Sequence, residues 1–238
     1  MIAVFRPSLA PLLLGLALAA ASHPALVRLL TGGGARPLAA ERLLDLALNH
    51  LMLAGTGFLV VALLGLGLGI AATRPAFASL RPAIDTLAAF AQAVPPVVVV
   101  ALALPILGFG GPPTLLALLA YGIMPVLRGI VGAIETVPAE ARSAAEAIGF
   151  KEIQILLGAE LPLAVPGIFE TLRTAFILSV SVAAVGALAG APTLGTPIVA
   201  GLQNQNLAAM LQGTLATAAL AFLGDGLLKA VGGRIERR

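Results

Sequence analysis

Residues 138–162, PAEARSAAEAIGFKEIQILLGAELP, separate two long apolar stretches of the chain. Charged side chains alternate here with small and branched apolar ones, a spacing that predicts an amphipathic helix or a pair of helices. Gly149 is expected to allow a turn between the two halves, and Pro162 is expected to end the segment. The pattern alone leaves two interpretations open: a helix lying on the membrane surface, or an elbow that docks onto a partner through its small residues.

The composition of the whole chain indicates a membrane protein. Charged residues make up 11% and hydrophobic residues 59% of the 238 residues, and the mean hydropathy is +1.05. A soluble chain of this length keeps a large surface in water and cannot hide so much apolar surface, whereas a bilayer is itself an apolar solvent. The Lys and Arg residues form no basic run interleaved with aromatics, which argues against nucleic-acid binding. The absence of Cys excludes disulfides and thiolate metal sites.

Six apolar stretches predict an all-α membrane protein with about six transmembrane helices. They cover residues 7–22, 47–72, 83–107, 112–134, 163–188 and 207–228. All but the first reach the length of about 20 residues that crosses the hydrocarbon core. The first also fits a cleavable signal peptide, because Arg6 and a Leu/Ala run precede Ala19-Ala20-Ala21-Ser22.

The distribution of Lys and Arg predicts the sidedness of these helices. If every stretch spans, one side holds the 138–162 segment and the cations Arg6, Arg74, Arg81, Arg128, Arg142, Lys151, Lys229, Arg234, Arg237 and Arg238. The other side holds Arg28, Arg36 and Arg42. Because the more positive side is cytoplasmic, the segment and both chain termini are expected in the cytoplasm.

The segment resembles the EAA signature of permease subunits from ATP-binding-cassette (ABC) importers. That signature reads Glu-Ala-Ala, three residues, Gly, nine residues, Ile, one residue, Leu-Pro, and the chain matches its spacing with Ala144, Ala145, Gly149, Leu161 and Pro162. Ser143 replaces the Glu and Ala159 replaces the Ile. In the family this elbow is the coupling helix, which sits in a groove of the ATPase subunit. The resemblance therefore implies an ATPase-coupling site of Glu140, Ser143, Ala144, Ala145, Gly149, Phe150, Leu161 and Pro162.

The resemblance covers roughly residues 46–228. Within the family, the chain is similar to one branch, the glycine betaine/choline/proline osmoprotectant permeases of the Yeh type. It is carried by Ala72-Thr73-Arg74-Pro75, Gln92-Ala93-Val94-Pro95-Pro96, Gly108-Phe109-Gly110, Tyr121-Gly122-Ile123-Met124-Pro125-Val126, Glu160-Leu161-Pro162-Leu163-Ala164 and Thr193-Leu194-Gly195-Thr196-Pro197. It implies the type I importer (MetI-like) transmembrane fold. Residues 1–45 would form an N-terminal helix and external loop, 46–228 the permease domain and 229–238 a cytoplasmic tail.

The same resemblance implies the partners of this chain. Two permease subunits, identical or paralogous, would form a pathway for an osmoprotectant across a bacterial inner membrane. Two ATPase subunits carrying ATP and Mg²⁺ would bind from the cytoplasm, and an external substrate-binding protein would deliver the cargo. The chain itself is expected to bind no cofactor and to be no enzyme. No phosphate-loop Lys follows Gly65, Gly67 and Gly69, whose spacing favours close helix packing.

A translocation pathway is predicted where a polar residue accompanies helix-breaking prolines. Gln92, Pro95 and Pro96 lie within the third apolar stretch, and a proline there frees a carbonyl that needs a cavity or a partner. A kink that serves only packing is the alternative. Tyr121, from a stretch shared with the osmoprotectant permeases, is included with them as a pathway residue.

The remaining polar residues favour structural roles. Asp225 with Lys229 and Glu170 with Arg173 are spaced to pair on a helix, residues 203–206 are expected to form a solvated external turn, and no metal site is predicted. An ion-coupled secondary transporter commonly shows buried carboxylates or His at mid-membrane and inverted repeats, which this sequence lacks. An intramembrane enzyme would need a catalytic constellation, and none is present. An importer for an amino acid or another small solute stays open.

Overall fold

The computed structural model describes residues 9–32 and 36–235, most of them helical. The helices are α1 (Ala10–Ala21), α2 (Pro24–Thr31), α3 (Ala40–Ala72), α4 (Arg81–Ala93), α5 (Pro96–Leu107), α6 (Gly111–Glu135), α7 (Ala139–Ala147), α8 (Glu152–Ile155), α9 (Leu161–Val185), α10 (Gly195–Gln203) and α11 (Leu207–Ile235). Two 3₁₀ turns, Pro75–Leu80 and Gly186–Ala189, and a π-turn, Leu156–Glu160, lie between them. The all-α prediction is confirmed. Arg6, Arg237 and Arg238, used in the charge argument, lie outside the described residues.

Four helical segments of the described chain are long and apolar enough to cross a bilayer. They are α3, α6, the run Glu152–Ala189 and α11. A fifth candidate combines α1 and α2, which are bent by 74° relative to each other. The described chain thus has four spanning segments, or five if α1 and α2 form one span. This is fewer than the predicted number of about six, since the third apolar stretch is not a single helix.

The third apolar stretch breaks at two consecutive prolines. Pro95 is extended (φ −60°, ψ 141°) and precedes the first turn of α5, where Pro96 is tolerated. A proline also disfavours helical geometry in the residue before it, so α4 ends at Ala93. The 12 residues of α5 reach only about 18 Å at 1.5 Å per residue, less than the roughly 30 Å of a hydrocarbon core. The structure therefore has the expected interruption at Pro95-Pro96, but it divides the stretch into two helices and does not merely kink one.

Helices α3 and α6 pack side by side along glycine notches. Close contacts join Gly57 to Leu118, Gly65 to Val126 and Gly69 to Ile130. The sequence separation is the same at each contact, so the two helices run parallel. A Cβ atom on Gly65 would lie 2.5 Å from Val126, which explains why this position is glycine. Gly67, predicted to share the packing face, has open space around it instead.

The other long helices alternate in direction. Close contacts join Gly129 to Thr171 and Ala133 to Gly167 (α6 with α9), Phe176 to Gly224 and Phe169 to Gly232 (α9 with α11), and Leu12 to Gly226 and Gly15 to Leu223 (α1 with α11). Residue numbers rise along one helix as they fall along its neighbour, so each pair is antiparallel. The start of α1 and the ends of α3, α6 and α11 therefore lie at one end of the bundle. We call it the elbow end, because residues 138–162 (the elbow) connect α6 to α9 there.

Buried polar side chains tie the opposite end together. His50 lies inside α3 and is fully buried. Its Nδ1 accepts a hydrogen bond from the Leu194 backbone N–H at 3.1 Å, so Nε2 carries the proton and donates to the Val180 carbonyl at 3.0 Å. Gln212 of α11 is also fully buried, and its amide bonds the backbone of Ser22 and Leu38. These bonds join α3, α9, α11 and the loops at that end.

Candidate functional site

The first half of the elbow is the helix α7, which ends at a left-handed glycine. Gly149 has φ +86°. The Phe150 N–H donates to the Ala145 carbonyl at 3.0 Å and the Gly149 N–H to the Glu146 carbonyl at 2.9 Å. This pair of bonds is the Schellman motif, in which glycine avoids the clash that a Cβ would make. The predicted turn at Gly149 is confirmed.

The second half of the elbow is continuous with a membrane span. Helix α8 leads through the π-turn into α9 with no interruption of the helix. In the π-turn the Leu161 N–H donates to the Leu156 carbonyl, five residues back. Pro162 lies just after the π-turn, at the start of α9. The expectation that Pro162 ends the elbow was wrong, because the proline is absorbed by the wider π-turn before it.

The elbow carries exposed apolar side chains. Ile148 is 72% exposed, Ile153 59% and Leu157 60%. We call these three residues the apolar elbow face. Charged residues flank it, since Glu146, Lys151 and Glu152 are exposed as well. Exposed apolar side chains rimmed by polar residues are typical of a protein–protein contact.

The predicted coupling residues divide between this surface and the interior. Glu140, Ser143, Ala144, Gly149, Phe150 and Pro162 are exposed, Leu161 is half-buried and Ala145 is buried. Ala145 therefore packs inward and is not free to meet a partner. Gly149 has no atom near the place of its missing Cβ, so the close approach of a partner at this position stays a prediction. The ring of Phe150 lies over Gly158, 3.5 Å from the place of a Cβ there, and so braces the two halves of the elbow.

A buried ion cluster lies at the base of the elbow. The Glu160 side chain is 4% exposed, and its two oxygens bind two different arginines. Arg74, just after α3, donates to Oε2 at 2.5 Å, and Arg142 of α7 donates to Oε1 at 3.0 Å. Arg142 also pairs with Glu146, at 3.3 Å. Sequence reasoning missed this cluster, because Arg74 and Glu160 lie 86 positions apart and no periodicity relates them.

The predicted pathway residues are not gathered in one cluster. Gln92 is exposed near the end of α4, and Pro95 and Pro96 form the break that follows. Tyr121 is half-buried on α6 and packs against the core layer that contains Val100 of α5. Gln92 thus lies on α4, before the break, whereas α5, after the break, is the helix that packs in the core layer next to Tyr121.

A second ion cluster lies between two spans. Arg173 of α9 binds Glu170 at 2.6 Å, which confirms the predicted pair. It also holds the buried Asp225 of α11 with two hydrogen bonds, of 2.7 and 3.1 Å. The two-pronged geometry suits a guanidinium and a carboxylate and locks α9 to α11. Within the described residues, no group of three or more His, Asp or Glu side chains is arranged to hold a metal ion.

The fold defines a class of protein: a helical membrane protein with several candidate spans. The chain belongs to the family described as the binding-protein-dependent transport system inner membrane component, whose model matches residues 64–237. It is thus the membrane component of an importer, and the resemblance of the sequence to ABC importer permeases is confirmed.

Two curated relatives have names from the osmoprotectant branch. The osmoprotectant import permease protein OsmY of Salmonella typhimurium is 32% identical over 82% of this chain and 82% of its own length. The glycine betaine/carnitine/choline transport system permease protein OpuCD of Bacillus subtilis is 29% identical over 74% of this chain and 77% of its own length.

Solved structures share the fold. An inward-facing structure of the MetNI methionine ABC transporter matches with a TM-score of 0.69 and 20% identity, over 83% of this chain and 96% of that chain. A chain from an amino acid ABC transporter matches with a TM-score of 0.64 and 17% identity, over 83% of this chain and 94% of that chain. The predicted MetI-like, type I importer fold is confirmed.

Proposed function

We propose that this chain is the pathway-forming subunit of an ATP-driven importer and that its elbow docks onto an ATPase subunit. The apolar elbow face carries the proposal. Its three side chains lie beside charged groups at the elbow end. A helix on the membrane surface would present these side chains to lipid, whereas a coupling helix would present them to a protein. The polar residues around it are mixed in sign, whereas helices that lie on membranes are rich in Lys and Arg.

The join between α8 and α9 gives the docked elbow a mechanical role. Closure of the ATPase dimer on ATP would move the elbow, and the continuous helix would carry that movement into α9. The ATP-bound ATPase dimer would bind one of two states of the permease more tightly and would thereby favour that state of the pathway. ATP and Mg²⁺ would belong to the ATPase, and this chain would perform no covalent chemistry.

The elbow end is proposed to face the cytoplasm. Arg74, Arg142, Lys151, Lys229 and Arg234 all belong to segments at this end, while Arg28, Arg36 and Arg42 belong to segments at the opposite one. The packing directions bring both described extremities of the chain, residues 9 and 235, to the elbow end. With the positive side inside, both termini would be cytoplasmic, in the inner membrane of a bacterium.

The proposed cargo is a quaternary-ammonium osmoprotectant such as glycine betaine or choline. The names of the curated relatives support it. An external binding protein would select this cargo and deliver it to a pathway between two permease subunits, either two copies of this chain or this chain and a paralogue.

The proposed pathway residues are Gln92, Pro95, Pro96 and Tyr121. Support comes from the broken helix, because free carbonyls at membrane depth need a cavity or a partner. The chain has no Cys, so a Gln92→Cys variant offers one thiol. A water-soluble thiol reagent should label it at a rate that changes during transport. No labelling in any state would place residue 92 against lipid or protein and end its assignment to the pathway.

Reconstitution tests the function as a whole. The permease is purified with its candidate ATPase and binding protein and inserted into liposomes, and uptake of radiolabelled glycine betaine and choline is measured. Uptake should require ATP, the ATPase and the binding protein together. Uptake driven by an ion gradient with the ATPase absent would contradict the proposal and favour a secondary transporter.

A further inference from the structure

The cluster of Arg74, Glu160 and Arg142 joins three separate elements through one carboxylate. Arg74 follows α3, Arg142 lies on α7, and Glu160 lies in the π-turn that leads into α9. Each oxygen of Glu160 binds a different arginine. Loss of one arginine therefore leaves one oxygen without its partner, even if the other arginine stays bound. We call this arrangement the clasp.

The partners of the clasp are themselves held in place. The Arg74 guanidinium donates two hydrogen bonds to the Thr73 hydroxyl, at 3.2 and 2.9 Å. Arg142 is held on its own helix by Glu146. Helix α7 also packs against α8 and the π-turn, with Ala145 buried beneath it. Arg142 therefore links α7 to the same carboxylate that holds the end of α3.

Burial makes the clasp selective for one position of the elbow. A carboxylate taken out of water is costly unless its charge is paired and its oxygens are hydrogen-bonded. A shift of α7 that withdrew Arg142 would leave one oxygen of the buried Glu160 without its partner. The elbow is thus expected to move together with the ends of α3 and α9. Such clusters are weak evidence for stability but restrict geometry.

We propose that Glu160 is the positioning residue that transmits movement of the elbow to α3 as well as to α9. The peptide chain itself connects α8 to α9, whereas the side chains of the clasp connect α7 to the end of α3. Through Glu160, a push on the elbow by the ATPase moves both spans as one unit. The inference rests on the proposed function, because it assumes that an ATPase docks on the elbow.

The test compares docking with coupling in three variants of the complete complex. Glu160→Gln removes the charge of the clasp. Arg142→Gln removes the arm that reaches α7, together with the pair between Arg142 and Glu146, and leaves the Glu160–Arg74 pair. Asp225→Asn is the matched control, since Asp225 is a buried carboxylate that also bridges helices through an arginine, but that arginine, Arg173, lies within the α9 span and not in the elbow. The measurements are the affinity of each permease for the ATPase, and the ATPase activity with loaded binding protein divided by the basal activity.

Glu160→Gln and Arg142→Gln should dock normally but lose stimulation by about 5-fold or more, the low end of typical allosteric couplings. Asp225→Asn should keep wild-type stimulation even if it melts at a lower temperature, and Arg142→Lys, which keeps the cation, should recover much of the loss. If Glu160→Gln does not accumulate, Arg142→Gln decides, because its side chain is 39% exposed.

Three results would overturn the inference: wild-type stimulation in Arg142→Gln and in any Glu160→Gln protein that accumulates, equal loss in Asp225→Asn, or loss of docking in Arg142→Gln. A wild-type permease that neither docks nor is stimulated would instead contradict the proposed function itself.

Discussion

Ile148 offers the sharpest test of the apolar elbow face. Its side chain is 72% exposed in the permease alone, so truncation to Ala removes little internal packing. If an ATPase covers it, Ile148→Ala should weaken docking without lowering the melting temperature of the permease. Ile106 of α5 is the matched control. It is 84% exposed and lies toward the opposite end of the bundle, so Ile106→Ala should leave docking unchanged.

The magnitude follows from the exposed surface of Ile148. Truncation removes three carbons, each contributing about 0.8 kcal/mol when fully buried. With nearly three quarters of the side chain available for burial, the expected loss is about 1–2 kcal/mol, or about 5- to 30-fold in affinity. The assay titrates labelled ATPase into detergent-solubilised permease and fits the dissociation constant. A change below about twofold in Ile148→Ala, well under 1 kcal/mol, would refute the reasoning, as would an equal change in Ile106→Ala.

Three further substitutions test the fold that positions the elbow. Gly149→Leu should destabilise the elbow by about 1–2 kcal/mol, because a side chain at positive φ is strained. It should weaken co-purification with the ATPase while the permease stays inserted. Normal assembly would show that the turn is dispensable. Gly65→Leu should lower the melting temperature, because overpacking against Val126 costs about 1–3 kcal/mol. Gly67→Leu, in open space, should leave the melting temperature unchanged. Equal effects of the two substitutions would contradict the close packing of α3 on α6 at Gly65. His50→Leu should cost about 1–3 kcal/mol for each backbone group left without its bond, measured by thermal unfolding; an unchanged melting temperature would show that these bonds contribute nothing.

Local signals predicted much of this structure. The apolar stretches located the long helices because a bilayer demands a minimum length of apolar residues. The elbow was recognisable because its polar pattern interrupts two such stretches, and Gly149 marked its turn because few other residues adopt positive φ. These properties depend on neighbours along the chain, so they are visible without a fold.

Features that depend on tertiary neighbours were missed or wrong. Two prolines broke the third helix completely, while Pro162 was accommodated by a π-turn, and sequence did not distinguish these outcomes. Ala145 was expected to meet a partner but is buried under its own helix. The pairing of Arg74 with Glu160 arises only when α3 and α9 pack together. The role of Gln92 in the pathway stays a prediction.

Cross-linking from the elbow tests the central claim most directly. The permease has no Cys, so single Cys residues can carry a short photoactivatable cross-linker at Ile153, and at Ile106 as the control. Ile153→Cys should yield a covalent product with the ATPase in the assembled complex, with a yield that changes on addition of ATP, and Ile106→Cys should yield none. Absence of an ATPase product from Ile153, together with cross-linking to lipid, would show that the elbow lies on the membrane surface.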